Sequence, residues 1–275
     1  MRGTLYVVAT PIGNLDDLSP RAAAVLRAAA LVACEDTRTS RTLLSRHGIA
    51  TRTVALHGHN ERAAAAGLVK LLLAGSDVAL ISDAGTPALS DPGAQLVSEA
   101  HKAGIRVSPI PGPSAAAAAF SAAGFAASGF LFAGFLPAAG AARRKALQSL
   151  ASPWPVVLYE APHRMAATLA DLAARFGAER EIVIARELTK KFEEVARLRL
   201  GEAPAWLAGQ PHRGQGEFAL VLAPGAAAAV DLAEAERVLD ALLEVLPASA
   251  AARTAARLTG APKAALYRKA VARAK

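Results

Sequence analysis

The 275-residue chain is 53% hydrophobic and 20% charged, with one cysteine, Cys34, and a formal net charge of +8. That length accommodates more than one domain and a substantial core, and the composition excludes a disordered chain. A lone cysteine excludes an internal disulfide and a cysteine-built zinc site.

The opening MRGTLYVVAT lacks the long apolar core and small-residue cleavage site of a signal peptide, so a cytoplasmic protein is expected. Residues 4–9 read as a strand, followed by the loop Thr10-Pro11-Ile12-Gly13-Asn14 and a helix opened by Ser19 and Pro20. A short strand at 31–33 runs into the polar cluster Cys34-Glu35-Asp36-Thr37-Arg38-Thr39-Ser40. A third strand at 53–56 runs into His57-Gly58-His59-Asn60-Glu61, and residues 61–74 read as a helix.

The stretch that organises this half is DVALISDAGTPALSDPG, residues 77–93. Residues 78–81 form an unbroken apolar run, the pattern of a strand covered by helices on both faces of a parallel sheet. Ser82 and Asp83 leave its C-terminal end, where open α/β sheets bind their ligands. Asp91 and Pro92 are expected to restart a helix as N-cap and first-turn residue. No P-loop and no G-x-G-x-x-G follows a strand, and an acidic helix cap disfavours phosphate. A neutral or cationic ligand with amino and hydroxyl groups suits Asp83 better, unless Asp83 only caps its own turn.

A strand at 105–108 leads to Pro109-Ile110-Pro111-Gly112-Pro113-Ser114, read as a domain junction. No charge stands between Arg106 and Arg143, yet Pro109, Pro111, Pro113, Gly124, Gly129 and Pro137 break that stretch, so no membrane span is expected. Ser114 is expected to cap a helix over 115–122. Strands follow at 130–135, 156–159, 182–185, 194–200 and 218–222, with a basic helix at 143–150 and a helix running to Arg175. The outcome is an α/β fold of two α/β domains, residues 1–113 on a parallel sheet and 114–223 on a mixed one, plus a helical module at 224–275. In that module Asp231 and Glu234 form a capping box, Leu239, Leu242, Leu243 and Leu246 share one helical face, and two further helices flank Gly260. Residues 249–275 hold seven basic side chains and no acidic one. Such a tail suits a polyanionic partner, most simply nucleic acid, or serves as a solvated face.

The loops ATPIGNLDDLSPRA, CEDTRTS, HGHNE, LISDAGTPALSDPG, PIPGPSA, GFLP, YEAPHR, RELTK and RGEF, in this order, resemble the ribosomal RNA small-subunit methyltransferase I family, within the tetrapyrrole-methylase-like class of S-adenosylmethionine (SAM) methyltransferases. The resemblance implies SAM held in a cleft between the two α/β domains by Thr10, Pro11, Asp83, Ala84, Gly85, Pro87, Ser114, Ala115, Tyr159, Thr189 and Gly216. It implies methylation of the ribose 2′-hydroxyl of a decoding-region cytidine in small-subunit rRNA, free or in the assembled subunit, by a homodimer that uses no metal. Two other readings are a methyltransferase acting on a porphyrin-like acid, which gives the basic tail no role, and a non-enzymatic nucleic-acid-binding protein, which leaves the converging polar loops without one.

A ribose hydroxyl is a weak nucleophile, so a proton acceptor is expected near the methyl group. Glu187 and Lys190 are the candidates carried forward, with Asp36, His57 and His59 as others; Arg186 and Glu187 read equally as a structural ion pair. Arg38, Arg41, Arg143, Arg144 and Lys145, with Arg253, Arg257, Lys263 and Arg268 of the tail, are expected to meet RNA phosphates.

Overall fold

Among the described residues, five parallel strands form one sheet and five strands of mixed direction form a second. The structure, a computed structural model, describes residues 2–150, 152–225 and 232–273. Residues 2–150 and 155–223 make one compact unit; residues 152–154, 224–225 and 232–273 belong to a second.

The first sheet holds β1 (Thr4–Val8), β2 (Leu31–Cys34), β3 (Thr53–Ala55), β4 (Val78–Leu80) and β5 (Arg106–Ile110), in the order β3-β2-β4-β1-β5 with every pairing parallel. The helices between them are α1 (Pro20–Ala28), α2 (Thr37–Arg46), α3 (Glu61–Leu73) and α4 (Ala94–Lys102). Helix α1 begins where Ser19 Oγ accepts the Ala22 N–H and Pro20 needs no donor. Its Ala22, Ala23 and Leu26 pack on one sheet face with Leu43 and Leu44 of α2. Leu68 and Leu72 of α3 and Leu96 and Ala100 of α4 pack on the other. Adjacent strands β1 and β4 therefore send their chains to opposite faces, and a crevice opens at their C-terminal ends.

The second sheet holds β6 (Leu131–Phe135), β7 (Val156–Glu160), β8 (Glu181–Arg186), β9 (Glu194–Arg199) and β10 (Phe218–Leu222), in the order β6-β7-β10-β8-β9. Only β6 and β7 pair in parallel, so the sheet is mixed, as its sequence pattern suggests. Central β10 is buried at all five positions, whereas edge strand β9 alternates between half-buried and exposed. Around this sheet lie α5 (Ala115–Ala123), α6 (Gly140–Gln148), α7 (Met165–Phe176) and α8 (Ala203–Ala208). Ser114 caps α5 as expected, its hydroxyl accepting the Ala117 N–H at 3.5 Å.

Two helices, α2 and α8, stand where the sequence reading placed none. Asp36 caps α2 by accepting the Arg38 N–H at 2.7 Å, so the polar cluster after β2 is a helix start. A further correction concerns the organising loop. Helix α4 starts at Ala94 with Gly93 as N-cap at φ +126°, so neither Asp91 nor Pro92 caps it. Glu61 of α3 supplies the cap, its Oε1 accepting from Gly93 N–H at 2.9 Å and Gln95 N–H at 2.8 Å. An acidic group does occupy this helix N-terminus, from a residue far away in sequence.

In the second unit, α9 (Leu232–Leu243), α10 (Ala248–Thr259) and α11 (Lys263–Arg273) enclose Leu239, Ala251, Ala252, Ala255, Leu266 and Ala270. Left-handed Gly260 ends α10, accounting for the turn read from sequence. Asp231 of the expected capping box lies outside the described residues.

Candidate functional site

The carboxyl ends of β1 and β4 are tied together by backbone. Thr10 N–H donates to Gly85 O at 2.8 Å, Gly85 N–H returns to Thr10 O at 3.1 Å, and the Thr10 hydroxyl reaches Ser82 O at 3.2 Å. Thr10 is fully buried and Pro11 buried, so their side chains brace the crevice from beneath. Asp83, by contrast, is exposed, and its Oδ1 accepts the Asp36 N–H at 3.0 Å, joining the loops after β2 and β4. It does not cap its own turn.

Beside Asp83 opens a cavity of about 420 Å³, walled on the β4 side by Ala84, Gly85, Thr86, Leu89, Ser90 and Asp91. The second half contributes Ser114 and Ala115 from the start of α5, Phe135, Tyr159 and Glu160 from β6 and β7, and Leu188, Glu217 and Phe218 beyond. Tyr159 is fixed by its hydroxyl, which accepts the Ala116 N–H at 3.0 Å, and by Phe132 and Phe135, both edge-on to its ring. The volume and the mix of apolar walls with few polar groups are those of a small-molecule site. Among the four carboxylates on the wall, exposed Asp83 suits an ammonium or sulfonium group, and Tyr159, Leu188 and Ala115 suit an uncharged ring system. The described residues thus fit SAM, the cationic methyl donor the resemblance implies.

The loop over residues 86–93 is shaped for this wall. Ala88 and Ser90 sit in the left-handed region at φ +65° and +71°, a strain of order 1–3 kcal/mol each that persists where surrounding structure fixes it. Gly134, at a bulge in β6, permits the approach: a Cβ there would stand 2.8 Å from Ser90 Oγ. Burial first, then the neighbouring charges of Glu35 and Asp83, push the Asp91 carboxyl up to about 6, against a lowering hydrogen bond from Ser82. Glu35 is raised in the same way, chiefly by burial and then by Asp83.

Other predicted residues fall differently. Pro87 is buried and, like Thr189 and Gly216, is not among the cavity walls. Thr189 stands at φ +66°, its buried hydroxyl without a hydrogen-bond partner among the described residues and its N–H on Glu193. Gly216 abuts the Glu187 side chain. Lys190 Nζ lies 2.9 Å from Glu187 and 2.8 Å from Glu217, and its stem covers Gly13 in the loop after β1. Burial alone favours the neutral forms, but these contacts outweigh it, lowering Glu187 and raising Lys190. Each contact thus favours the charged form of its partner. Arg186 makes no direct salt bridge to Glu187 among the described residues; it donates to Gln215 O and Phe192 O, and its charge adds to the lowering of the Glu187 carboxyl.

Arg143 is corrected from RNA contact to core: its side chain is 7% exposed and binds Asp171 at 2.7 Å. Arg144 and Lys145 on the same helix are exposed, as are Arg38 and Arg41 of α2. Arg38 forms a bidentate pair with Asp36 that holds that carboxyl down to about 2. In the tail, Arg253, Arg257, Lys263 and Arg268 are exposed with no ion pair among the described residues, whereas Lys269 binds Glu236 and Arg273 binds Asp240. Arg143→Met is expected to cost about 2 kcal/mol in thermal unfolding, by removing a charge-assisted hydrogen bond, and to leave the salt dependence of RNA binding unchanged. Arg144→Ala with Lys145→Ala is expected to do the reverse.

Residues 4–204 match the family Tetrapyrrole (Corrin/Porphyrin) Methylases, and residues 229–274 match the RsmI C-terminal HTH domain. The chain is 50% identical to the ribosomal RNA small subunit methyltransferase I of Pseudomonas aeruginosa, over 98% of both chains. It is 48% identical to the protein of the same name from Xylella fastidiosa, over 96% of this chain and 98% of that one. Among solved structures it resembles the uroporphyrin-III-C-methyltransferase from Thermus thermophilus, with a TM-score of 0.54 and 22% identity over 81% of this chain and 94% of the other, a likeness of fold.

Proposed function

The chain belongs to the tetrapyrrole methylase family, and from that premise we propose that it transfers a methyl group from SAM to the ribose 2′-hydroxyl of a cytidine in the decoding region of small-subunit rRNA. The observation that carries this reading is the end-to-end likeness to ribosomal RNA small subunit methyltransferase I, at 50% identity across 98% of both chains, helical tail included. The site supports it chemically. SAM supplies a methyl group on a sulfonium, so the protein's task is to place that carbon in line with the nucleophile and exclude water. Asp83 would face the cation, Tyr159 and the α5 start the remainder of the molecule, and exposed Arg144 and Lys145 the RNA backbone. The same reading has the protein act as a homodimer in the cytoplasm, without a metal.

Mapping ribose methylation on small-subunit rRNA from a deletion strain and its complemented partner tests the reading. One methylated cytidine is expected to vanish and return; an unchanged map overturns it. The tail makes a separate prediction. Full-length protein with Arg253, Arg257, Lys263 and Arg268 all changed to Ser is expected to lose about 3 from the slope of log K against log salt, at about 0.7 per single-strand phosphate contact. Filter binding at four salt concentrations reads this directly.

A further inference from the structure

Four carboxylates line the cavity: Asp83, Asp91, Glu160 and Glu217. The group best placed to take a proton in the reaction is a carboxylate tied to no cation and to no fixed N–H donor, because such donors already occupy lone pairs that the proton would take. Glu160 is committed to Arg164 at 3.1 Å, the Ala161 N–H and the Thr168 hydroxyl. Glu217 is committed to Lys190, and Asp83 gives an oxygen to the Asp36 N–H. Asp91 forms no ion pair among the described residues, and the hydroxyl beside it, that of Ser82, also reaches Ala84 O at 3.3 Å and Gly85 O at 3.2 Å, so it is not a fixed donor to Asp91. The groups facing it are Glu35 after β2, Asp83 after β4 and the Tyr159 phenol on β7. All three are acidic, and none donates from a fixed cation.

We propose that Asp91 is the proton acceptor for the methylated ribose hydroxyl. This rests on the rRNA methyltransferase reading above. As the hydroxyl oxygen bonds to the methyl carbon, the carbon–sulfur bond breaks with its electron pair going to sulfur, which leaves as a neutral thioether. The hydroxyl proton passes to an Asp91 carboxylate oxygen and afterwards to water. Before the transfer the carboxyl must be ionised, and a sulfonium in the same cavity favours that form by its charge. Without the cation, burial and the neighbouring acids hold Asp91 near pH 6, so the group ionises close to neutral pH, where an acceptor is most effective.

The test is Asp91→Asn in the full-length protein, which keeps the side chain's shape. Four results are expected. Calorimetric titration shows SAM bound within about tenfold of the wild-type affinity at neutral pH. The kcat on small ribosomal subunits falls about a hundredfold with KM little changed. Wild-type kcat/KM for SAM, which reports the free enzyme, rises with pH along a limb ending near neutrality, and the variant lacks that limb. Without SAM, the variant melts above wild type at about pH 8 and together with it at about pH 4. The sign follows from a carboxyl raised in the fold: its stabilising contribution is complete below the unfolded value and is lost as pH climbs through about 6. An unchanged kcat, a persisting limb, or the loss of SAM binding in the variant overturns the proposal. If wild type itself leaves small-subunit rRNA unmethylated, the reading of function fails and takes the proposal with it. An active wild type with an equally active Asp91→Asn sinks the proposal alone.

Discussion

Glu160→Ala is expected to lower the stability of the α/β unit by about 3–5 kcal/mol, because it removes one member of a buried ion pair and strands the other. The Glu160 side chain is completely buried. Its oxygens take the Ala161 N–H at 2.8 Å and the Thr168 hydroxyl at 2.6 Å, and face Arg164 Nε at 3.1 Å. Arg164 in turn donates to Leu136 O at 2.5 Å and Pro137 O at 3.2 Å, so the pair clamps the end of β6 onto the start of α7. With the carboxylate gone, the guanidinium keeps its carbonyl partners but loses its counter-charge in a site that is mostly dry. The clamp also holds the cavity rim, since Phe135 directly precedes Leu136 and Glu160 is itself a wall. Differential scanning calorimetry is expected to show a melting temperature lower by roughly 10 °C, at about 2–4 °C per kcal/mol for a unit of this size. Saturating SAM is expected to recover part of it, because a ligand bound only to the folded form adds stability by mass action. A Glu160→Ala protein as stable as wild type would mean that the clamp carries no net energy.

The parts legible in sequence are those fixed by neighbours along the chain. Apolar runs such as Phe218-Ala219-Leu220-Val221-Leu222 give their strand in full, because a strand buried on both faces has no alternation to misread. Ser19-Pro20 and Ser114 mark their helix starts because cap and first turn are local. Helix α2 escaped because Leu43 and Leu44 are its only large apolar residues. Asp91-Pro92 imitates a helix start, but Gly93 at positive φ turns the chain first and the capping oxygen comes from Glu61, about thirty residues earlier. Arg143 and Arg144 read alike in a basic run, yet Arg143 lies four residues before buried Leu147 and so shares its face, a signal that the spacing did hold. The motifs thus place the loops at one sheet edge. Which carboxylate is paired and which is free depends on partners that only the folded chain brings together.

Asp83→Ala is expected to weaken SAM binding by about 1.5–3 kcal/mol, roughly ten- to a hundredfold, the worth of a charge-assisted hydrogen bond. Two losses combine in that figure. The exposed carboxylate at the C-terminal edge of β4 has one oxygen still open toward a cationic ligand, the other being held by the Asp36 N–H at 3.0 Å. Its removal also frees the loop after β2 from the loop after β4, so the wall that meets the ligand is no longer fixed before binding. Asp83→Asn separates the two effects. An amide oxygen still accepts the Asp36 N–H, so loop geometry survives while the charge does not. If charge dominates, calorimetry at low salt is expected to find Asn nearly as weak as Ala. If loop anchoring dominates, Asn is expected to bind almost as well as wild type. Because Asp83 is exposed, neither variant is expected to shift the melting temperature of the SAM-free protein by more than about 1 °C, in keeping with surface substitutions generally. Affinity and stability would then move independently, as they must if this side chain serves the ligand and not the core. Unchanged SAM affinity in Asp83→Ala would take the residue out of the site.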